Sequence, residues 1–248
     1  MTQRSANKPT RRALVTGGSG DIGAAICREL AAQGHAVQVH AHANAQRADE
    51  VVAAIRSNGG EAQAITFDLT DGAATRAAVE TLLASAPIDV LVHNAGIHDD
   101  APLAGMRDEQ WRRVIDVSLH GFFHVVQPLL LPMARARFGR IVCVSSVAAV
   151  LGNRGQVNYA AAKGALHGAT RALSLEVASR GVTVNAVAPG IIASPMADAA
   201  FDAKQIAQLV PIGRAGTTDE VAALVGFLAS DEAGYITGQV ISINGGMA

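Results

Sequence analysis

The sequence predicts an α/β fold: one domain built on a doubly wound parallel sheet of about seven strands, with helices on both faces. Three observations predict it. Short apolar, β-branched runs alternate with longer helical stretches, and a glycine-rich turn joins the first such run directly to a helix. The chain has 248 residues, 50% of them hydrophobic, which is enough to close one large core without disulfides or metal.

The strands are expected at residues 13–16, 36–39, 62–67, 89–93, 140–145, 183–188 and 239–243. Their interiors are apolar on both sides, as strands covered by helices on both faces require. Helical spacing runs over 22–33, 48–57, 73–84, 108–136, 158–179 and 219–229. Asp71 and either Thr218 or Asp219 stand where N-caps belong, while Gly34, Gly59 and Gly181 follow helix ends. Residues 1–11 read as a loose polar tail and 12–248 as the domain. The stretch 190–210, with Pro195 and little periodicity, is the longest irregular piece and a candidate lid.

Composition excludes several classes. The net charge of -1 argues against a general nucleic-acid coat, and no uncharged run reaches the length of a membrane span. Neither of the 2 cysteines, Cys27 and Cys143, lies in a metal-ligand spacing, so both read as small buried hydrophobes in a reducing compartment. The expectation is a cytoplasmic protein with no metal site.

Thr16-Gly17-Gly18-Ser19-Gly20-Asp21-Ile22-Gly23 follows the first strand and opens a helix. Glycines there allow a sharp turn and close approach to a pyrophosphate, whose charge the free N–H groups of the helix start favour. Thr16, Gly17, Ser19, Asp21, Ile22 and Gly23 are therefore candidate dinucleotide contacts. An acidic residue after the second strand would bind the ribose of NAD, yet His40-Ala41-His42 stands there, which points to NADP. His42 and Arg47 are the nearest groups to meet a 2′-phosphate.

Tyr159 stands in Asn158-Tyr159-Ala160-Ala161-Ala162-Lys163, where a spacing of four puts phenol and ammonium on one helix face. Tyrosine titrates near pH 10 and needs help to exchange protons at neutral pH. A cation about 4 Å away offers up to about 4 kcal/mol at an effective dielectric of about 20, or about three pKa units. Ser146 closes the fifth strand, where such sheets gather ligands, and can orient a carbonyl that Tyr159 protonates. Singly, each residue has an ordinary structural explanation. Together, beside a nucleotide turn, they read as a reductase site.

These residues resemble the short-chain dehydrogenase/reductase family, a Rossmann-type fold, over essentially the whole chain from Arg12 onward. The likeness rests on the turn at 16–23, Asp68, Asn94-Ala95-Gly96, Ser146 thirteen residues before Tyr159, Lys163, and Pro189-Gly190. Within the family it leans to the 3-oxoacyl-[acyl-carrier-protein] reductases through residues 152–159, 176–181, 229–232, 235–238 and 244–247. The resemblance implies NADPH rather than NADH, a homotetramer, and reduction of a 3-oxoacyl thioester carried on acyl carrier protein, in fatty-acid or related polyketide or polyene synthesis. It implies that Asp68 and Leu69 meet the adenine end, that Asn94, Ala95 and Gly96 border the cofactor with Pro189 and Gly190, and that Ile192 and Ser194 hold the nicotinamide end. It further implies that Arg137 and Arg180 face the acidic carrier protein.

Three positions depart from the family pattern. Ser118 stands where an Asn usually completes the proton relay, and a serine would relay only through an extra water. Asp21 stands where Gly or Ala is usual, and Gly20 where NADPH-dependent relatives often carry Arg. Two alternatives stay open: an alcohol dehydrogenase or ketoreductase of the same fold acting on another small carbonyl or secondary alcohol, and a nucleotide-binding partner subunit of low activity.

Overall fold

The computed structural model describes residues 10–194 and 201–248. Most of the expected tail, and residues 195–200 of the expected lid, lie outside the described residues.

Seven strands form one all-parallel sheet: β1 Arg12–Thr16, β2 Ala36–Ala41, β3 Ala62–Thr66, β4 Val90–His93, β5 Gly139–Val144, β6 Val182–Pro189 and β7 Val240–Ile243. They lie in the order β3-β2-β1-β4-β5-β6-β7. The order in which successive strands are added reverses between β1 and β4, so the carboxyl ends of those two strands open a crevice for a ligand. The two-sided burial read from the sequence is visible along β1: Ala13 and Val15 join the core on one face with Ile26, Leu30, Val225 and Leu228, and Leu14 joins the other with Leu91, Leu129, Ile141 and Leu166. Each such large aliphatic side chain, fully withdrawn from water, contributes about 1.5–3 kcal/mol.

The helices are α1 Asp21–Ala32, α2 Ala45–Ser57, α3 Gly72–Ser85, α4 Asp108–Ile115, α5 Gly121–Ala136, α6 Ala148–Leu151, α7 Val157–Val177, α8 Ala203–Leu209 and α9 Thr218–Ala229. Asp71 caps α3 as expected, accepting from the amides of Ala73 and Ala74. The cap of α9 is Thr217, not Thr218 or Asp219. Its side chain accepts from Glu220 N while Glu220 reaches back to the Thr217 amide. Helix α2 starts three residues before the predicted position because Asn44 caps it. Part of the stretch read as irregular is α8, capped by Asp202.

The long helix expected over 108–136 is interrupted by a π-turn, Asp116–His120. By length and composition, Asp108–Ala136 is apolar enough to cross a membrane. It opens on Asp108, Glu109, Arg112 and Arg113, and it inserts Val114, Phe122, Val125, Val126, Leu129 and Met133 into the fold, which makes it a core helix. Cys27 and Cys143 are free and buried, and burial pushes both thiols up, Cys143 to about 12.

Candidate active site

The glycine turn takes the shape a dinucleotide needs. Gly17 has φ +63, and a Cβ there would lie 3.0 Å from Ala95 Cα. A Cβ on Gly23 would lie 2.1 Å from the Gly17 carbonyl oxygen, so only glycine lets α1 approach β1 so closely. No side chain caps α1, and its first bond runs from Ala24 N to Gly20 O at 2.7 Å, leaving the first-turn amides directed out of the helix end. That end, with its positive dipole, fits a pyrophosphate.

Two buried histidines hold the turn, and sequence reading missed both. Gly17 N donates to His40 Nδ1 at 3.1 Å while His40 Nε2 donates to Phe67 O at 3.0 Å. His93 Nε2 donates to the Ser118 carbonyl at 2.9 Å, and its Nδ1 faces Thr16 Oγ1 at 3.3 Å. Burial lowers His40 to about 4 and His93 to about 3, so each is neutral with a single N–H to give. Thr16 Oγ1 accepts from the amides of Asn94 and Ala95, both at 3.1 Å. Asn94 Nδ2 donates to the carbonyls of Thr16 and Gly17, so this side chain braces the turn.

Four charged or ionisable groups gather past the ends of β2 and β3, where the adenine end is expected. Asp21 does not stand alone beside the pyrophosphate site: its Oδ1 lies 2.5 Å from Arg47 Nη2. His42 Nδ1 lies 3.5 Å from Asp68 Oδ1. Burial works to raise the Asp68 carboxyl, but bonds from Thr70 N and Oγ1, both 2.8 Å, outweigh it and hold the group below its ordinary value. The Leu69 side chain is buried in the core, and its carbonyl accepts from His124 at 2.8 Å. Ile22 packs against the core.

Ser146, Tyr159 and Lys163 come together beyond the carboxyl end of β5. Ser146 Oγ accepts from Ala148 N at 3.1 Å, and its hydroxyl is near enough to the Tyr159 phenol to lower that group's pKa. Asn158 is fully buried and anchors the start of α7: its Nδ2 donates to the carbonyls of Asp99 and Gln110, and its Oδ1 accepts from Tyr159 N. One turn on, Ser145 Oγ donates to the Lys163 carbonyl at 3.0 Å and lies 2.7 Å from His167 Nε2. Lys163 is thereby buried with its ammonium donating to Val144 O at 2.9 Å. A Cβ on Gly96 would lie 2.7 Å from Lys163 Nζ and 3.4 Å from Ser118 Oγ, so these three positions share one small space. Ser118 is fully buried, and its Oγ has no hydrogen-bond partner among the described residues.

The electrostatics differ from the simple cation-beside-phenol expectation. Lys163 Nζ lies 6.0 Å from the Tyr159 ring centre, turned toward the Val144 carbonyl. Burial raises the Tyr159 phenol, the Ser146 hydrogen bond lowers it, and the Asp100 carboxylate raises it again, with a net upward shift. Burial lowers Lys163 to about 8. At neutral pH the phenol therefore carries its proton and the lysine is mostly charged.

At the far wall, Pro189 ends β6, and a Cβ on Gly190 would lie 2.8 Å from Asn244 Cα. Ile192 pairs with Gly216 in an isolated bridge, and Ser194 is the last described residue before the undescribed segment. Arg137 and Arg180 lie elsewhere. Arg137 follows α5 with φ +53 and precedes β5, its Nη2 bonded to Ser179 O at 3.2 Å, and Arg180 precedes β6. Both stand at the amino ends of the strands, across the sheet from Tyr159.

A family model described as Enoyl-(Acyl carrier protein) reductase matches residues 18–248. The chain belongs to the short-chain dehydrogenase/reductase family. Among members of that family, it is 42% identical over 243 residues to 3-oxoacyl-[acyl-carrier-protein] reductase FabG of Staphylococcus aureus, a match that covers 97% of this chain and 99% of the relative. It is 45% identical over 237 residues to 3-oxoacyl-[acyl-carrier-protein] reductase of Synechocystis sp., covering 95% and 96%. It is 40% identical over 237 residues to FabG of Aggregatibacter actinomycetemcomitans, covering 94% and 98%. Among the described residues, no cluster of three or more His, Cys, Asp or Glu is placed to hold a metal.

Proposed function

We propose that this short-chain reductase converts 3-oxoacyl thioesters carried on acyl carrier protein to the 3-hydroxyacyl products, with NADPH as preferred cofactor, in the cytoplasm. What supports the reading is that the Tyr159 phenol keeps its proton within reach of the Ser146 hydroxyl, on the same helix as the buried Lys163.

A nicotinamide bound in that crevice would supply the hydride. The uncapped α1 end and the glycine cradle would hold its pyrophosphate, with Asn94, Ala95 and Gly96 on one side and Pro189, Gly190, Ile192 and Ser194 on the other. Two hydroxyls address the substrate oxygen. Ser146 orients the carbonyl and Tyr159 gives up its proton as negative charge develops on that oxygen. A raised phenol suits this direction, because the acid must be protonated before turnover and the developing alkoxide is the stronger base. The Lys163 charge, close to Gly96, stabilises the phenolate left behind. Ser118, in the small space it shares with Lys163, would pass replacement protons inward through a water, restoring the phenol after each turnover.

The arginines support a carrier-protein reading only through assembly. Residues Phe123, Leu131 and Leu175 are 58%, 65% and 84% exposed on α5 and α7, an apolar face that a second copy would cover. The homotetramer, and the contact of Arg137 and Arg180 with the carrier, are taken from the family resemblance, with this exposed face as the surface of assembly. An acidic carrier would then meet a basic rim that speeds encounter.

The test compares turnover on 3-oxoacyl, 2-enoyl and free small-ketone substrates with both dinucleotides, with light scattering for the number of copies. Fast NADPH-linked reduction of the carrier-bound 3-oxoacyl substrate alone supports the reading. Equal or faster reduction of the enoyl thioester or of free ketones overturns it.

A further inference from the structure

Ion pairing at the adenine end bears on how the protein chooses between dinucleotides. In sheets of this kind the ribose next to adenine lies by the end of the second strand, where an acidic residue selects NAD and an arginine accommodates the 2′-phosphate of NADP. Here β2 ends at Ala41 with no acidic residue following, and Arg47 is the one arginine or lysine between residues 42 and 55. That guanidinium is already engaged. Its Nη2 lies 2.5 Å from Oδ1 of Asp21, the first residue of α1, and both side chains are about half exposed. The Arg47 backbone is held as well, since its amide donates to Asn44 Oδ1 at 3.1 Å. The second carboxylate of the region, Asp68, faces His42 at 3.5 Å.

We propose that Asp21 is a specificity-determining residue: its carboxylate competes with a 2′-phosphate for Arg47 and so narrows the preference for NADPH over NADH. The inference rests on the dinucleotide reading above. A phosphate of nearly two negative charges reaching Arg47 has either to displace Asp21 or to share the guanidinium with it at close like-charge range. NADH, with a plain 2′-hydroxyl, meets neither obstacle. Gly20 sharpens the point. It has φ -79, and a Cβ there meets only the Gly17 carbonyl oxygen, at 3.4 Å, so the turn has room for a side chain at this position and offers no second cation.

The experiment is titration calorimetry of the intact protein with NADPH and with NADH, on the unmodified chain, Asp21→Asn, Arg47→Gln and the double variant. Asparagine keeps the size of the side chain and removes its charge. Asp21→Asn is expected to tighten NADPH about three- to tenfold and to leave NADH within about twofold. Arg47→Gln is expected to weaken NADPH alone, and the asparagine gain is expected to vanish in the double variant, because the effect passes through the arginine. Equal changes for both dinucleotides on Asp21→Asn, or none, would overturn the proposal while leaving the dinucleotide reading intact. Binding of neither dinucleotide by the unmodified protein would overturn both.

Discussion

His93 reaches from the end of β4 to the π-turn of the long helix, placing its Nε2 2.9 Å from the carbonyl oxygen of Ser118. A π-turn frees carbonyls that an α-helix would use internally. The imidazole satisfies one of them, and its other nitrogen faces Thr16 at the root of the glycine turn. One neutral ring thus couples the dinucleotide turn to the backbone that carries Ser118. Replacing it with an apolar side chain of similar bulk, His93→Leu, leaves a buried carbonyl without its partner. The expected loss is about 1–3 kcal/mol of stability, read as a lower urea midpoint. An unchanged midpoint would show the ring to be a passive core group.

The same histidines make stability depend on acid. Burial holds His40 at about 4 and His93 at about 3, below the ordinary 6.5. Between these values the unfolded chain binds protons that the folded chain refuses, so unfolding is favoured as pH falls. Stability is full above about pH 6.5 and drops toward pH 4 by up to about 1.4 kcal/mol per unit for each histidine. Urea midpoints at successive pH values between 7.5 and 5, above the ordinary carboxylate range, measure this slope, and a flat profile would contradict it.

Two glycines of one turn are expected to behave oppositely. Gly23→Ala drives a methyl group to 2.1 Å from the Gly17 carbonyl oxygen, whereas at Gly20 the nearest atom is 3.4 Å away. The first substitution should cost about 3 kcal/mol or more, or prevent folding, and Gly20→Ala should be nearly neutral. Thermal melts of the two variants decide it.

Much of this was legible in the sequence because the strands are short apolar runs and the turn is a local motif. The seven parallel strands and the place of the glycine turn follow from such local signals combined with right-handed crossovers. The roles of His40 and His93 did not emerge, because each depends on partners far along the chain: Phe67 for one, Thr16 and Ser118 for the other. The π-turn leaves no periodic trace over five residues. The ion pair of Asp21 with Arg47 joins two helix starts 26 positions apart, and neither residue announces the other. Helical spacing fixes which face Lys163 shares with Tyr159, while the Val144 carbonyl, far from both in sequence, decides where the ammonium points.

Ser118 separates stability from turnover. Its hydroxyl is buried without a partner among the described residues, so Ser118→Ala removes an unsatisfied group and should leave the melting temperature unchanged or slightly higher. If the hydroxyl passes protons inward to Lys163 and the phenolate, the same variant lowers kcat by about threefold or more with KM unchanged. Wild-type turnover would remove Ser118 from the proton path.

The pH profile of reduction tests Lys163. Burial lowers its ammonium to about 8, so its charge is present below that value and is lost as pH rises through it. The rate of ketone reduction should therefore fall above about pH 8, while the raised Tyr159 phenol is still protonated. A rate constant level through pH 9 would show that the lysine charge is not used.

The central claim, that Tyr159 delivers the proton, is tested most directly by pairing two readings on Tyr159→Phe: calorimetric binding of NADPH, and oxidation of NADPH in the presence of a carrier-bound 3-oxoacyl thioester. Binding within about twofold of the unmodified protein, with turnover reduced by about a hundredfold to ten-thousandfold, is the predicted result. Turnover near the unmodified rate, or loss of NADPH binding with turnover remaining, would contradict it.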